Sequence, residues 1–369
     1  MNASHVSPGS TTTSGADGSD TPVRVDTVGA LIAALPAMLG FVPTQSLVVA
    51  IATASPRSAR PGSLALGEVI RLDLDAAADP AHATEVVELI ESACRAQEST
   101  QIFAVIIDDR PAADQTARHA LATLHQTTVR VRRAWLVPTV STGATFHDLL
   151  EPGHHGLVDD PHSSPVTLAR LLDGHQVHQS RTDLEDLIAV DPFTCARIAT
   201  LLESATRRFH DELDAATAAG ESQAYRRAVA ETVLAHIVDA HPDPLAPQEL
   251  ATVAIALTDT VIRDVMLGLT GTPYGAPAQV LWLQLARATT GRARASAATL
   301  CAVDAYCRGD GVFAGICLQA AHRADPTSAL TVTLLNSLTA SGPPEQIRKL
   351  AEQARTVTTQ LGIDLDLTG

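Results

Sequence analysis

Hydrophobic and polar positions alternate along this chain in two regimes. Up to about Val140 they switch between helical and strand periods, and from Pro192 onward every periodic segment is helical. Thr27 or Asp26 can cap a helix running to about Leu39, which Gly40 ends, and Leu47 to Ala52 is a continuous apolar strand. Gly67 to Leu74 reads as a second strand, able to form a hairpin with the first across a Pro, Gly and Arg loop at Ser55 to Ser63. Helix His82 to Gln97, strand Ile102 to Ile107, helix Asp114 to His125 and strand Val129 to Val137 follow. Such β-α-β-α-β alternation predicts a mixed, partly parallel sheet covered by helices.

Between Ser141 and Ser164 the pattern breaks into Gly, Pro, His and Asp and is read as a long loop, followed by short helices at Pro165 to Leu172 and Arg181 to Ile188. The later helices are expected at about 193–218, 222–240, 247–269, 277–289, 293–308, 311–324, 327–340 and 344–360. Domains are therefore expected at 23–150 (α/β) and 191–369 (all helical), joined by a loop-rich connector at 151–190 and preceded by a disordered tail at 1–22. Within the helical part, Ala305-Tyr306-Cys307-Arg308-Gly309-Asp310, Ala314, Ala321 and Asp325-Pro326 resemble the latter part of a tetratricopeptide unit, a TPR-like hairpin spanning 293–326. A second copy is not evident, so the pair is read as one hairpin packed into a larger bundle.

Composition narrows the function classes. Aromatic residues make up 3% of the chain, which leaves few stacking platforms for bases, and a net charge of -15 repels phosphate backbones and anionic membranes. Nucleic acid and membrane are accordingly not expected as partners. The uncharged run 27–56 is broken by Pro36, Gly40 and Pro43 and falls short of a bilayer span. The first 22 residues lack the basic start and apolar core of a signal peptide, and the five cysteines show no C-x-x-C spacing, so a reducing, cytoplasmic setting is expected. Lys349 is the one lysine among 26 basic residues; the arginine bias is read as the composition of a GC-rich genome, with no chemistry of its own.

Candidate chemistry is sparse. Asp108 and Asp109 follow an apolar strand, and Asp73 with Asp75 ends another; carboxyl ends of strands in open α/β sheets are where ligands gather. The competing reading of Asp108-Asp109-Arg110-Pro111 is turn chemistry. Arg181, Arg263 and Asp264 complete the ligand-binding candidates, although structural ion pairs, among them ones that tie the helical part to the α/β part, are the favoured reading of the arginines. Six of the 14 histidines lie between His147 and His178 but match no zinc spacing, so no metal site is assigned. G-x-G-x-x-G, P-loop and G-x-S-x-G motifs are missing, which removes common dehydrogenases, NTPases and hydrolases. No residue set specifies a reaction or a cofactor.

Several blocks together resemble an actinobacterial family described as domain of unknown function 4192. They are Gly29 to Pro36 with Leu39-Gly40-Phe41-Val42-Pro43 and Ser46-Leu47-Val48-Val49; Arg71-Leu72-Asp73-Leu74; Ser180-Arg181 with Leu184; Val261-Ile262-Arg263-Asp264; and Gly309-Asp310-Gly311 with Ala314 and Asp325-Pro326. The chain departs from the family pattern at His147 to His162, which lacks the tryptophan- and cysteine-rich stretch of relatives. The resemblance implies a single-family protein over roughly residues 25 to 345, and carries over no catalytic residues. The leading expectation is a non-enzymatic interaction or regulatory module with a protein partner and a small-ligand position on the α/β domain. The alternative is a metal-dependent hydrolase or phosphate-handling enzyme using Asp73, Asp108 and Asp109. Neither sets an oligomeric state.

Overall fold

The structure is a computed structural model that describes residues 9–11, 27–54, 64–172, 174–238, 245–339 and 344–363. It divides into two compact units. The first, Met1–Leu184 with Gly309–Gly315 and Asn336–Gly342, holds the sheet; the second, Glu185–Arg308 with Ile316–Leu335 and Pro343–Gly369, is helical.

The sheet unit runs β1 (Gly9–Thr11), α1 (Val28–Leu39), β2 (Ser46–Ala54), β3 (Leu64–Asp73), α2 (Leu74–Ala78), α3 (Ala83–Ala96), β4 (Gln101–Ile107), α4 (Ala113–Leu124), β5 (Arg130–Val137), β6 (Thr145–Asp148), β7 (His155–Leu157), α5 (Pro165–Leu172) and the start of α6 (Arg181–Leu187). Strand order is β1-β3-β2-β4-β5-β6-β7, and only β4 and β5 are parallel neighbours. The sheet is therefore mixed and partly parallel, as its alternation of elements implied. Apart from Gly9–Thr11, the expected N-terminal tail lies outside the described residues, as does the Ser55 to Ser63 loop.

Period-two alternation sorts the strands onto two faces. Leu47, Val49, Ile51, Ile70, Leu72, Ile102, Ala104, Ile106, Ala134 and Leu136 form one core with Val86, Ile90 and Ala93 of α3 and Ala117, Ala120 and Leu124 of α4. Helix α1 packs on β3, β7 and α5. Ten of its twelve residues are buried, so it is covered on more than one side and has no polar stripe. Thr27 caps it, its hydroxyl accepting from Ala30 N at 3.0 Å, and Gly40 ends it at φ 77°.

The stretch 141–164, expected to be a loop, contains β6 and β7. Phe146 lies across from Gly156 and its ring covers that glycine, whose missing side chain is what admits it. Buried Asp148 accepts from Leu150 N and Glu151 N at 2.8 and 2.9 Å, and Arg133 reaches both Asp148 and Glu151. Local side-chain bonds thus replace the long apolar runs by which strands are usually found.

The helical unit continues through α7 (Pro192–Ala218), α8 (Ser222–Val238), α9 (Pro247–Ala256), α10 (Thr260–Leu267), α11 (Gly275–Ala288), α12 (Gly291–Cys307), α13 (Gly311–Ala324), α14 (Ala329–Thr339) and α15 (Pro344–Gln360). The single helix expected over 247–269 is two, because Asp259 turns its carboxylate onto Val261 N and Ile262 N and starts α10 afresh. Helix α12 has 13 of 17 residues buried, and α9, α10, α11 and α15 pack on it. Thr299 and Thr331 share a buried hydroxyl bond at 2.9 Å between α12 and α14. Helix-end carbonyls are met by arginines: Arg287 donates to Asp186 O and Leu187 O, Arg294 to Ile188 O and Ala286 O, and Arg355 to Gly268 O and Thr270 O. These three arginines thus have a structural role that composition alone did not show.

Among the described glycines of the sheet unit, Gly29 makes the tightest approach to backbone. A Cβ there would lie 2.3 Å from Leu157 O and 2.9 Å from an Asp159 carboxylate oxygen. Because the first obstacle is backbone, Gly29→Ala is expected to destabilise the fold by about 3 kcal/mol, read as a lower urea midpoint with an unchanged m-value.

Candidate functional site

Strands β3, β4 and β5 run in the same direction, so their carboxyl ends share one edge of the sheet with the first residue of β2. Ser46 pairs with Asp73 on one side and Ile107 on the other, which sets the β3 and β4 ends about 10 Å apart across β2. This edge gathers Asp73, Asp75, Asp108 and Asp109 with Arg71 and Arg110.

Arg110 organises the edge. Its Nε donates to Asp108 Oδ1 at 2.7 Å and one terminal nitrogen to Asp108 Oδ2 at 3.1 Å, a fork on a carboxylate whose side chain is fully buried. The far side of the same guanidinium meets Asp75 at 2.8 and 3.0 Å. Arg110 N also donates to Asp108 Oδ1, closing the turn expected of the Asp-Asp-Arg-Pro sequence. The hydrogen bond from Arg110 holds the Asp75 carboxyl below the usual carboxylate range. The two carboxylates in turn raise the pKa of the guanidinium. Asp109, the neighbour of Asp108, is exposed.

Asp73 is engaged elsewhere. Its Oδ1 accepts from Asp75 N and Ala76 N, capping α2, and its other oxygen lies 3.9 Å from Arg71. Arg71 Nε donates at 2.8 Å to the buried Ser46 hydroxyl, which donates to Thr44 O. Asp73 and Asp108 thus share an edge, but each is oriented by its own partners. Among the described residues no group of three His, Cys, Asp or Glu is placed to hold a metal ion, the histidines of 147–178 included.

The remaining candidates belong to other elements. Arg181 is the half-buried first residue of α6, where Ser180 and Asp183 form a reciprocal capping box: Ser180 N donates to Asp183 Oδ2 at 3.0 Å and Asp183 N to Ser180 Oγ at 3.1 Å. Arg263 and Asp264 belong to the helical unit and pair with each other at 2.7 Å. Arg263 thus makes a structural ion pair, with its neighbour on the same helix. Sequence reasoning passed over Arg110, though its place three residues past an apolar strand was the available signal.

A family model described as Domain of unknown function (DUF4192) matches residues 29–345. The chain belongs to this family. No curated protein and no solved structure matches it.

Several blocks of the DUF4192 resemblance, those around Gly40, Arg71 and Leu184, meet within the sheet unit. Phe41 bridges to His178, with His178 N donating to Gly40 O and Val42 N to His178 O, while Leu184 packs 3.9 Å from where a Cβ of Gly40 would lie. Leu74 N donates to Gln45 O, and Arg71 to Ser46. Asp310 accepts from Phe313 N, opening α13, and Asp325 accepts from Thr327 N. The DUF4192 blocks seen here therefore serve caps, turns and close approaches.

Removing one arm of the Arg110 bridge separates buried from exposed electrostatics. Arg110→Ala leaves buried Asp108 without its fork and is expected to cost about 3 kcal/mol, whereas Asp75→Ala, on an exposed arm, should cost less than about 1 kcal/mol. Urea denaturation at pH 7 reads both. Because the Asp75 pKa is lowered on folding, its contribution is present above the ordinary carboxylate range and is lost as pH falls through the lowered value.

Proposed function

We propose that this DUF4192 protein is a non-enzymatic interaction or regulatory module of the cytoplasm, with the sheet unit as scaffold and helical faces as its means of binding a protein partner. The observation that carries this reading is α5. Val166 and Thr167 are buried, while Leu168, Leu171 and Leu172, at the i, i+3, i+4 spacing of one helix face, are 59%, 51% and 80% exposed. Leucines scattered singly are ordinary on a surface; three on one face of a two-turn helix form an apolar stripe of the kind that marks binding surfaces. The TPR-like character read in α12 and α13 is part of the same reading, as helix pairs of that type present binding faces.

The sheet edge supports a structural role better than a catalytic one. Asp108 is held by Arg110 and Asp73 by the α2 cap, so each carboxylate is taken up by its own donors. A small-ligand position there would have to displace one arm of the Arg110 bridge, and Asp75, the exposed arm, is the one to give way.

The triple variant Leu168→Ser, Leu171→Ser, Leu172→Ser keeps the buried side of α5. It should fold with an unchanged circular dichroism spectrum and lose, by at least tenfold, the partner recovered by affinity capture on the native protein. Equal recovery by the two proteins would remove α5 from the proposal. A thermal-shift screen reads the ligand position separately, since a ligand at 100 times its Kd stabilises by about 2.7 kcal/mol.

A further inference from the structure

Asp304 is the most deeply placed acid of the helical unit that is not serving as a cap. It lies 5% exposed on α12, one turn before the helix ends. Its Oδ1 rests against the start of α11, where a Cβ on Gly275 would come within 3.1 Å of it. Its Oδ2 accepts from Arg308, one turn later on the same helix, and the Arg308 side chain is 36% exposed. A buried carboxylate is therefore tied to a cation that has open access to water.

Among the described residues the surroundings add no second counter-charge. Glu249 of α9 accepts from Ala246 N, and Arg263 and Asp264 of α10 pair with each other. The charged residue of α11 is Arg287, near its far end. On α15, Arg348 and Arg355 act on neighbouring Cys307, and Lys349 and Glu352 are exposed. Among the described residues Arg308 is the one charge that acts on the Asp304 carboxyl. Immediately after Arg308 the chain turns through Gly309 at φ 79° and passes from the helical unit to the sheet unit.

We propose that Asp304 and Arg308 form a proton-controlled fastener on the last turn of α12, ion-paired when the carboxyl is charged and released when it takes up a proton. Burial is the main cause of its sensitivity, with Arg308 opposing it: the Asp304 carboxyl is pushed up to about 6. Mild acidification, well short of ordinary carboxylate titration, therefore frees Arg308 at the turn that carries the chain between units. The sign for global stability is opposite. Unfolded, the carboxyl ionises near pH 4, so between about pH 4 and 6 the unfolded chain has lost the proton that the folded one keeps, and the fold loses stability as pH rises through that window.

Two measurements decide the matter. A carbon-13 NMR titration of aspartate carboxyls in the full chain should show one group with a midpoint near 6, absent in Asp304→Asn and moved upward in Arg308→Gln, with the Arg308 Nε–H signal changing at the same midpoint in the native protein. Equilibrium unfolding from pH 4 to 7 should show the ratio of native to Asp304→Asn unfolding constants rising about 50-fold, most of the roughly 100-fold that two pKa units amount to over the full range. A ratio independent of pH, no aspartate midpoint above 5, or a midpoint indifferent to Arg308→Gln would each overturn the proposal. The titration of the native protein stands even if the asparagine variant does not fold.

Discussion

Six residues from Gly40 to Gln45 turn the chain from a helix lying over the sheet into β2, near the sheet's centre. The turn needs two left-handed residues, Gly40 at φ 77° and Gln45 at φ 45°, and the second is a non-glycine, a conformation that costs energy unless its surroundings impose it. They do. Gly40 O and Val42 N are bonded to His178, Gln45 O accepts Leu74 N, and Ser46 is fixed by Arg71. Three separate stretches of sequence thus meet at one reversal, and the placement of α1 and the registers of β3 and β4 against β2 follow from it.

A core with few aromatic rings imposes a related demand throughout. Side chains of Ala, Val and Leu fill little space, so elements must approach closely to exclude water. Gly29 against Leu157, Gly156 under Phe146 and Gly275 beside Asp304 are all answers to that demand. Close approach also leaves helix ends enclosed, and their carbonyls need donors that reach from a neighbouring element. The long, forked arginine side chain suits this, and Arg287, Arg294 and Arg355 are used in that way.

Periodicity made most of this architecture legible. The strands at Leu47 to Ala52 and Ile102 to Ile107 and the helix around Val86, Ile90 and Cys94 were plain because each buries a whole face or stripe. What escaped notice was held by local polar bonds: β6 and β7 around Asp148 and Arg133, α2 under its Asp73 cap, and the break at Asp259. At the sheet edge, Asp73 and Asp108 were legible as strand-end residues, and their strands lie on either side of β2. Their partners were not legible, because the meeting of Arg110 with Asp75 depends on a separation of 35 residues that no spacing rule spans.

The two tryptophans of the chain fall one to each unit. Trp135 is stacked on Phe103 in the sheet, and Trp282 is buried in α11. Each unit thus carries its own optical reporter. Replacing either ring with phenylalanine leaves an emission signal belonging to the other unit alone, so the order in which the two units come apart can be followed in one intact chain without any added label.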